Sequence, residues 1–121
     1  MEGSDIIISL ASNYQQEKNL SEARQRLGQI LSDISYTREL WTEPIGHEGS
    51  PLYLNQLAYA KSTLTVRELE EKFKQIEQSL GRTEECRQQG IVPIDIDLLQ
   101  FQDTRYHLRD WKRCYVRDLL F

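Results

Sequence analysis

A chain of 121 residues supports one domain with a single modest core, and 39% hydrophobic against 28% charged residues is the balance of an ordinary globular protein. The net charge of −4 argues against a general nucleic-acid binder, and no apolar run approaches the length of a membrane span. There is no basic-then-apolar leader, Cys86 and Cys114 are too far apart for a CxxC pair and read as free thiols, and His47 and His107 make no zinc spacing, so a reducing cytoplasm is expected.

In chain order, Ile6 to Ser12 is a β-branched run closing in small polar residues, which predicts a buried strand ending in a turn at Ser12-Asn13. From Asn19 the period becomes helical, through Leu20, Ala23, Leu27, Ile30, Leu31 and Ile34. Asn19 with Glu22 gives a capping-box pattern, and Gly28 is expected inside the helix. Residues 35–41 predict one strand rich in β-formers, followed by a Gly/Pro loop over 42–51. Residues 53–60 predict the next strand, with Tyr53, Asn55, Leu57 and Tyr59 on one face and Leu54, Ala58 and Ala60 on the other. A second helix starts at a Thr65/Glu68 capping box, carries Val66, Leu69, Phe73, Ile76 and Leu80 as its stripe, and stops at Gly81. A loop over 82–92 then leads into the strand Pro93 to Phe101.

On that last strand Ile94, Ile96 and Leu98 share one face, and Asp95 and Asp97 share the other. Two carboxylates held close on rigid backbone repel unless a cation lies between them, and Mg²⁺ is the natural occupant. The plainer alternative is an edge strand blunted by acids. In the tail, Arg105, Arg109, Lys112, Arg113 and Arg117 form a basic stripe on a helix beside Leu108, Trp111, Tyr115 and Leu119. It reads as an amphipathic cover for the open sheet face, with phosphate binding as the functional alternative.

The order strand, helix, strand, strand, helix, strand predicts an α+β fold: a ferredoxin-like βαββαβ antiparallel sheet, both helices on one face, and a short helical or loop tail. The spacing of Ser12-Asn13, Thr42 to Gly46, Tyr53-Leu54-Asn55, Glu77, Gly81-Arg82 and Pro93 to Leu98 resembles the 6-hydroxymethyl-7,8-dihydropterin pyrophosphokinase family of folate biosynthesis, over Ile6 to Phe101. The resemblance implies one domain over 1–121 that moves the terminal pyrophosphate of ATP onto the pterin hydroxymethyl oxygen and releases AMP. By the same resemblance Asp95 and Asp97 hold two Mg²⁺ ions on the triphosphate, and Asn55 reads the pterin edge. Tyr53, Thr42 and Ile45 line that pocket, with Tyr115 as a second aromatic. Glu77, Arg82, Arg87 and His107 serve the nucleotide, and Arg82 also serves catalysis.

The chain departs from the family pattern in three places. Ala11 stands before Ser12-Asn13 where a glycine is usual. The loop before the aspartates keeps only Arg82 and Arg87, with Val92 where an arginine is expected and Glu84 and Glu85 nearby. The C-terminal region is shortened, which implies a divergent member. Two other readings compete with an ATP- and Mg-dependent pyrophosphokinase: a non-catalytic pterin- or nucleotide-binding relative, and an RNA- or partner-binding ferredoxin-like module using the basic tail.

Overall fold

The computed structural model describes residues 3–44 and 51–120, apart from the side chain of Cys114. The elements in chain order are β1 (Ser4–Ser12), α1 (Gln16–Leu27), β2 (Ser32–Tyr36), β3 (Leu40–Thr42), β4 (Tyr53–Ser62), α2 (Val66–Ser79), α3 (Glu84–Gln88), β5 (Asp95–Phe101), β6 (Thr104–Arg105), α4 (Leu108–Trp111) and α5 (Cys114–Leu120). The strands form one antiparallel sheet in the order β2-β4-β1-β5-β6, and β3 also pairs with β4. The α+β architecture expected from the element order is therefore present, with β3, β6 and three short helices added to it.

Alternation along β1 divides the two faces of the sheet. Ile6, Ile8 and Leu10 point to the side where Leu20, Ala23 and Leu27 of α1 and Leu69, Phe73 and Ile76 of α2 pack, together with Leu54, Ala58, Ile94, Ile96 and Leu98. Each such aliphatic side chain, fully buried, contributes about 1.5–3 kcal/mol. On the opposite face Leu57 and Leu99 meet Val116 and Leu119 of α5, so the tail covers part of the open face as a second, smaller core. Alternation buries Leu98 and Leu99 on opposite faces, and a register shift of β5 against β1 just after them turns Phe101 back to the helix side.

Several local expectations are corrected. Helix α1 begins at Gln16, not after Asn19, and Asn19 is a buried residue inside it whose Nδ2 donates to the Tyr14 carbonyl (2.7 Å). No capping box forms there; Gln15 in the left-handed region opens the helix and Gly28 is its C-cap. The chain then turns, so Ile34 lies on β2 and not on the helix. The single strand expected over 35–41 is two, β2 and β3. The break falls where Thr37 Oγ1 accepts from Leu57 N and the Thr37 carbonyl accepts from Gln56 Nε2. The loop over 82–92 contains the one-turn α3, capped by Thr83. The tail is two short helices, which leaves Leu108 exposed and puts Val116 in its place as the buried anchor.

Helix α2 follows its sequence signals closely. Thr65 Oγ1 accepts from Glu68 N, and the Glu68 carboxylate accepts from Thr65 N. At the other end Gly81, at φ 101°, lets Arg82 N donate to the Glu77 carbonyl and Gly81 N to that of Gln78. This is the paired closure that a left-handed glycine permits. It also delivers Arg82 beside Glu77, one turn back along the same helix.

Candidate functional site

The open face of the sheet builds a floor from four strands. Asp95 pairs with Ala11, which pairs with Asn55, which pairs with Leu40; one step along, Asp97 pairs with Ser9 and Ser9 with Leu57. Ser9 and Ala11 are small, so the middle strand leaves a trough between the aspartates and the amide. Two inter-strand steps place Asp95 and Asn55 about 10 Å apart across it. The cleft above has a volume of about 760 Å³, with Thr42, Tyr53 and Tyr115 on its walls and Arg109, Asp110, Lys112 and Arg113 along one rim.

A second cleft, of about 560 Å³, lies on the other side of the same two aspartates. Its walls come from α2 (Arg67, Glu70, Lys74, Glu77) together with Arg82 and His107. Asp95 and Asp97 line both clefts and form the partition between them.

The partition is tightly wired. Arg82 Nη1 donates to Asp95 Oδ1 (2.9 Å) and to the Ile94 carbonyl (3.2 Å), and lies 3.1 Å from Glu77 Oε2. Glu77 Oε2 in turn accepts from Ile96 N (2.8 Å), so the end of α2 is stitched to the start of β5. Burial raises the Glu77 pKa. His107 Nε2 is 3.9 Å from Asp97 Oδ1. Asp97 is pushed up to about 8, first by burial and then by the charge of Asp95. A carboxyl group held protonated this far above the ordinary value is a site short of positive charge. An oxygen-seeking divalent cation suits it. Among the described residues no group of three or more His, Cys, Asp or Glu could hold an ion. Two carboxylates, with remaining positions for phosphate oxygens and water, match the way Mg²⁺ is bound beside phosphates.

In the first cleft Asn55 is buried, and its Nδ2 donates to the Leu40 carbonyl (3.0 Å) and Thr42 Oγ1 (2.8 Å). Among the described residues no donor reaches its Oδ1, which leaves an acceptor for a ligand. Burial raises the Tyr53 hydroxyl pKa and pushes that of Tyr115 up to about 12, so both walls are neutral aromatic surfaces. Asn13 ties the approach to β5 down: its Oδ1 accepts from Val92 N (2.6 Å) and its Nδ2 donates to the Gly90 carbonyl (2.9 Å).

The structure thus brings together Thr42, Tyr53, Asn55, Tyr115, Asp95 and Asp97 in one cleft, and Glu77, Arg82, His107 and the same aspartates in the other. Arg87, on α3, lines neither cleft. Ile45 lies outside the described residues. Sequence reasoning missed Ser9 as part of the floor, although its place opposite the Ile-Ile-Leu face of β1 was a usable signal. It also missed Glu43 and Asp110 on the walls, and Arg67 and Lys74, which carry no sequence signal beyond a solvated helix face.

Comparison with known proteins finds one family. The family model described as 7,8-dihydro-6-hydroxymethylpterin-pyrophosphokinase matches residues 7–121. The chain is 29% identical over 123 residues to the "Folate synthesis bifunctional protein" of Arabidopsis thaliana, covering 93% of this chain and 25% of that protein. It is 42% identical over 60 residues to the "2-amino-4-hydroxy-6-hydroxymethyldihydropteridine pyrophosphokinase" of Bacillus subtilis (strain 168), covering 50% of this chain and 35% of the relative. It is 30% identical over 122 residues to the "Folate synthesis bifunctional protein, mitochondrial" of Pisum sativum, covering 93% of this chain and 24% of that protein. The aligned stretches thus span between a quarter and about a third of these curated relatives.

Proposed function

Because the chain belongs to the 7,8-dihydro-6-hydroxymethylpterin-pyrophosphokinase family, we propose that it transfers pyrophosphate from ATP to the hydroxymethyl group of 6-hydroxymethyl-7,8-dihydropterin. The observation that carries this reading is the partition: one pair of carboxylates lines both a cleft walled by the neutral rings of Tyr53 and Tyr115 and a cleft walled by the charged side chains of α2 and Arg82. A transferase needs its acceptor and donor to meet, and this is the one place where the two clefts share residues.

In this reading the pterin lies in the first cleft, its ring edge against Asn55 and Thr42 and its faces near Tyr53 and Tyr115. A site that hydrogen-bonds a ligand edge excludes analogues that would leave the buried amide unpaired. ATP lies in the second cleft, with Lys74 and Arg82 as its cationic contacts, His107 as a hydrogen-bonding side chain and Glu77 as an anchor for Arg82. Arg87 has no role in this arrangement. The hydroxymethyl oxygen bonds to the β-phosphorus, and the bond from that phosphorus to the oxygen bridging the α-phosphorus breaks. That oxygen leaves with AMP, and the hydroxyl proton is released. Two Mg²⁺ ions held by Asp95, Asp97 and the triphosphate would supply neutralisation of the transferred group. Arg82 fixes the carboxylate of Asp95 for that task and turns a guanidinium toward the donor cleft.

The sheet face that an RNA-binding module would present is covered in part by α5, which gives that alternative less surface. A cytoplasmic location remains part of the proposal. Its support is the free Cys86 thiol, while the pea relative's name places that protein in the mitochondrion. No helix is long and apolar enough to cross a membrane among the described residues.

The test is incubation of the protein with ATP, Mg²⁺ and 6-hydroxymethyl-7,8-dihydropterin. AMP should form in step with the pterin diphosphate, and Asp95→Ala or Asp97→Ala should abolish it with the circular dichroism spectrum unchanged. Binding of pterin without AMP would favour a non-catalytic relative.

A further inference from the structure

On the helix side of the sheet, behind the first cleft, Gln56 is a buried amide in the middle of β4. Its Oε1 accepts from Arg24 Nη1 of α1 (2.9 Å), and its Nε2 donates to the Thr37 carbonyl (2.7 Å). Arg24 Nη1 also lies 3.5 Å from Glu39 Oε2, so one guanidinium reaches both β4 and the break between β2 and β3. At that break Thr37 N donates to the Leu57 carbonyl (2.9 Å), while Leu57 N donates to Thr37 Oγ1 (3.0 Å) in place of the Thr37 carbonyl. A carbonyl taken out of the ladder needs another donor, and Gln56 supplies it.

This exchange inserts one residue into the edge of the sheet. Tyr36 pairs with Ala58 and Leu40 with Asn55, so residues 37–39 stand opposite Gln56 and Leu57 alone. Such a bulge shifts the pairing by one position, and a shift of one position exchanges the two faces of a strand. With the bulge, Leu40 packs on the open-face core and Thr42 Oγ1 accepts from Asn55 Nδ2. Trp41 then points away from the cleft and is half exposed. Without it, the register of β2 would carry on, pairing Glu39 with Asn55 and Trp41 with Tyr53.

We propose that Gln56 and Thr37 are positioning residues for the pterin: they pin the bulge that turns Thr42, and not Trp41, toward the ring edge at Asn55. This rests on the transfer reading above, which makes the pterin the ligand of that cleft. Gln56 acts from the far side of the sheet and touches no ligand. It holds the Thr37 carbonyl out of the ladder, and Thr37 Oγ1 fills the place left at Leu57 N. A side chain lacking either group returns the carbonyl to Leu57 N and lets β3 slip.

Gln56→Met and Thr37→Val remove the two groups with little change in size, and Thr37 is only half-buried, so its variant keeps the test should Gln56→Met not fold. Calorimetric titration of the full chain with Mg²⁺ uses 6-hydroxymethyl-7,8-dihydropterin and, separately, a non-hydrolysable ATP analogue. In both variants pterin affinity should fall at least about tenfold, the scale of a buried polar edge left unpaired. Affinity for the ATP analogue should stay within about twofold. Thr37→Ser keeps the hydroxyl and should bind pterin like the unaltered protein, as should Thr65→Ala, which loses stability at a cap remote from the cleft. In protein carrying 5-fluorotryptophan, the ¹⁹F resonance of Trp41 should move in the two variants and that of Trp111 should not. Unchanged pterin affinity in a folded variant would overturn the proposal, as would weakened binding with a fixed Trp41 resonance. An equal loss in Thr37→Ser or Thr65→Ala, or for the ATP analogue, would reduce the effect to general stability and also overturn it. If the unaltered protein bound no pterin, the transfer reading itself would fail, while the Trp41 resonance would still report the register.

Discussion

Asp97 sits where its charge is disfavoured from two sides. Its pKa of about 8 lies above the ordinary 3.8 because burial and the neighbouring Asp95 both disfavour its charge. The sign of the consequence is fixed by linkage: between the two values the native state holds a proton that the unfolded chain has lost. Metal-free protein should therefore lose stability as pH rises from about 4 to about 8, with no further loss from this group above that. Asp97→Asn removes the effect. Thermal midpoints of the two proteins should diverge over that window, the variant becoming the more stable at pH 8; parallel curves would mean that the pair is not strained. At Asn55, replacement by leucine should weaken pterin binding by about 1–3 kcal/mol and leave ATP binding unchanged. Because Asn55 Nδ2 also holds Leu40 and Thr42, a drop in melting temperature is expected alongside. A calorimetric loss of ATP affinity instead would put the amide in the wrong cleft. Residues whose roles depend on a spaced pattern, such as Asp95, Asp97 and Asn55, were legible as candidates in the sequence. Asp110 and Glu43 were not, since a lone carboxylate on a loop or short helix has no local signature.

Among the elements, α2 matters most, because its two ends do different work. Thr65 only caps the helix, whereas Gly81 both closes it and sets Arg82 beside Glu77 and Asp95. Thr65→Ala should cost about 1 kcal/mol of stability with turnover unchanged. Gly81→Ala meets no atom within 4 Å, so its cost is the left-handed backbone alone, again about 1 kcal/mol. Its backbone will relax by shifting Arg82, and turnover should fall. Equal turnover in the two variants would show that the position of Arg82 is not set by this turn. The legibility of α2 had a physical cause, since the capping box, the apolar stripe and the terminal glycine all agreed. At α1 the signals conflicted. Asn19 has the chemistry of a cap but spends it on the Tyr14 carbonyl from inside the helix, and the true start, Gln15, has no capping side chain. The apolar period also ran on into Ile34, which belongs to β2. Strand and helix stripes cannot be told apart over so few residues.

Across the whole molecule, strand order brings distant parts of the sequence to one place. Setting β1 between β4 and β5 puts Ala11 and Ser9 between Asn55 and the aspartates, and setting α2 beneath β5 brings Arg82 to Asp95. The expected strand order allowed Asn55 and the aspartates to share a face, but Ser9 and Ala11 between them and the Arg82–Asp95 contact depend on register and could not be read from it. The division of the tail into α4 and α5 could not be read either, because its basic and apolar stripes suit one continuous helix equally well. The break at Lys112 and Arg113 lets Trp111 bond to the Leu99 carbonyl while Val116 and Leu119 reach the sheet, which only tertiary packing decides.

The central claim is that a group crosses the Asp95–Asp97 partition from one cleft to the other, and that the group is pyrophosphoryl. Single-turnover reaction of the protein with ATP labelled at the β-phosphorus, Mg²⁺ and 6-hydroxymethyl-7,8-dihydropterin tests it most directly. The label should pass entirely into the pterin product, with one unlabelled AMP released per label transferred. Label retained in ADP, or no transfer from a protein that binds both ligands, would contradict it.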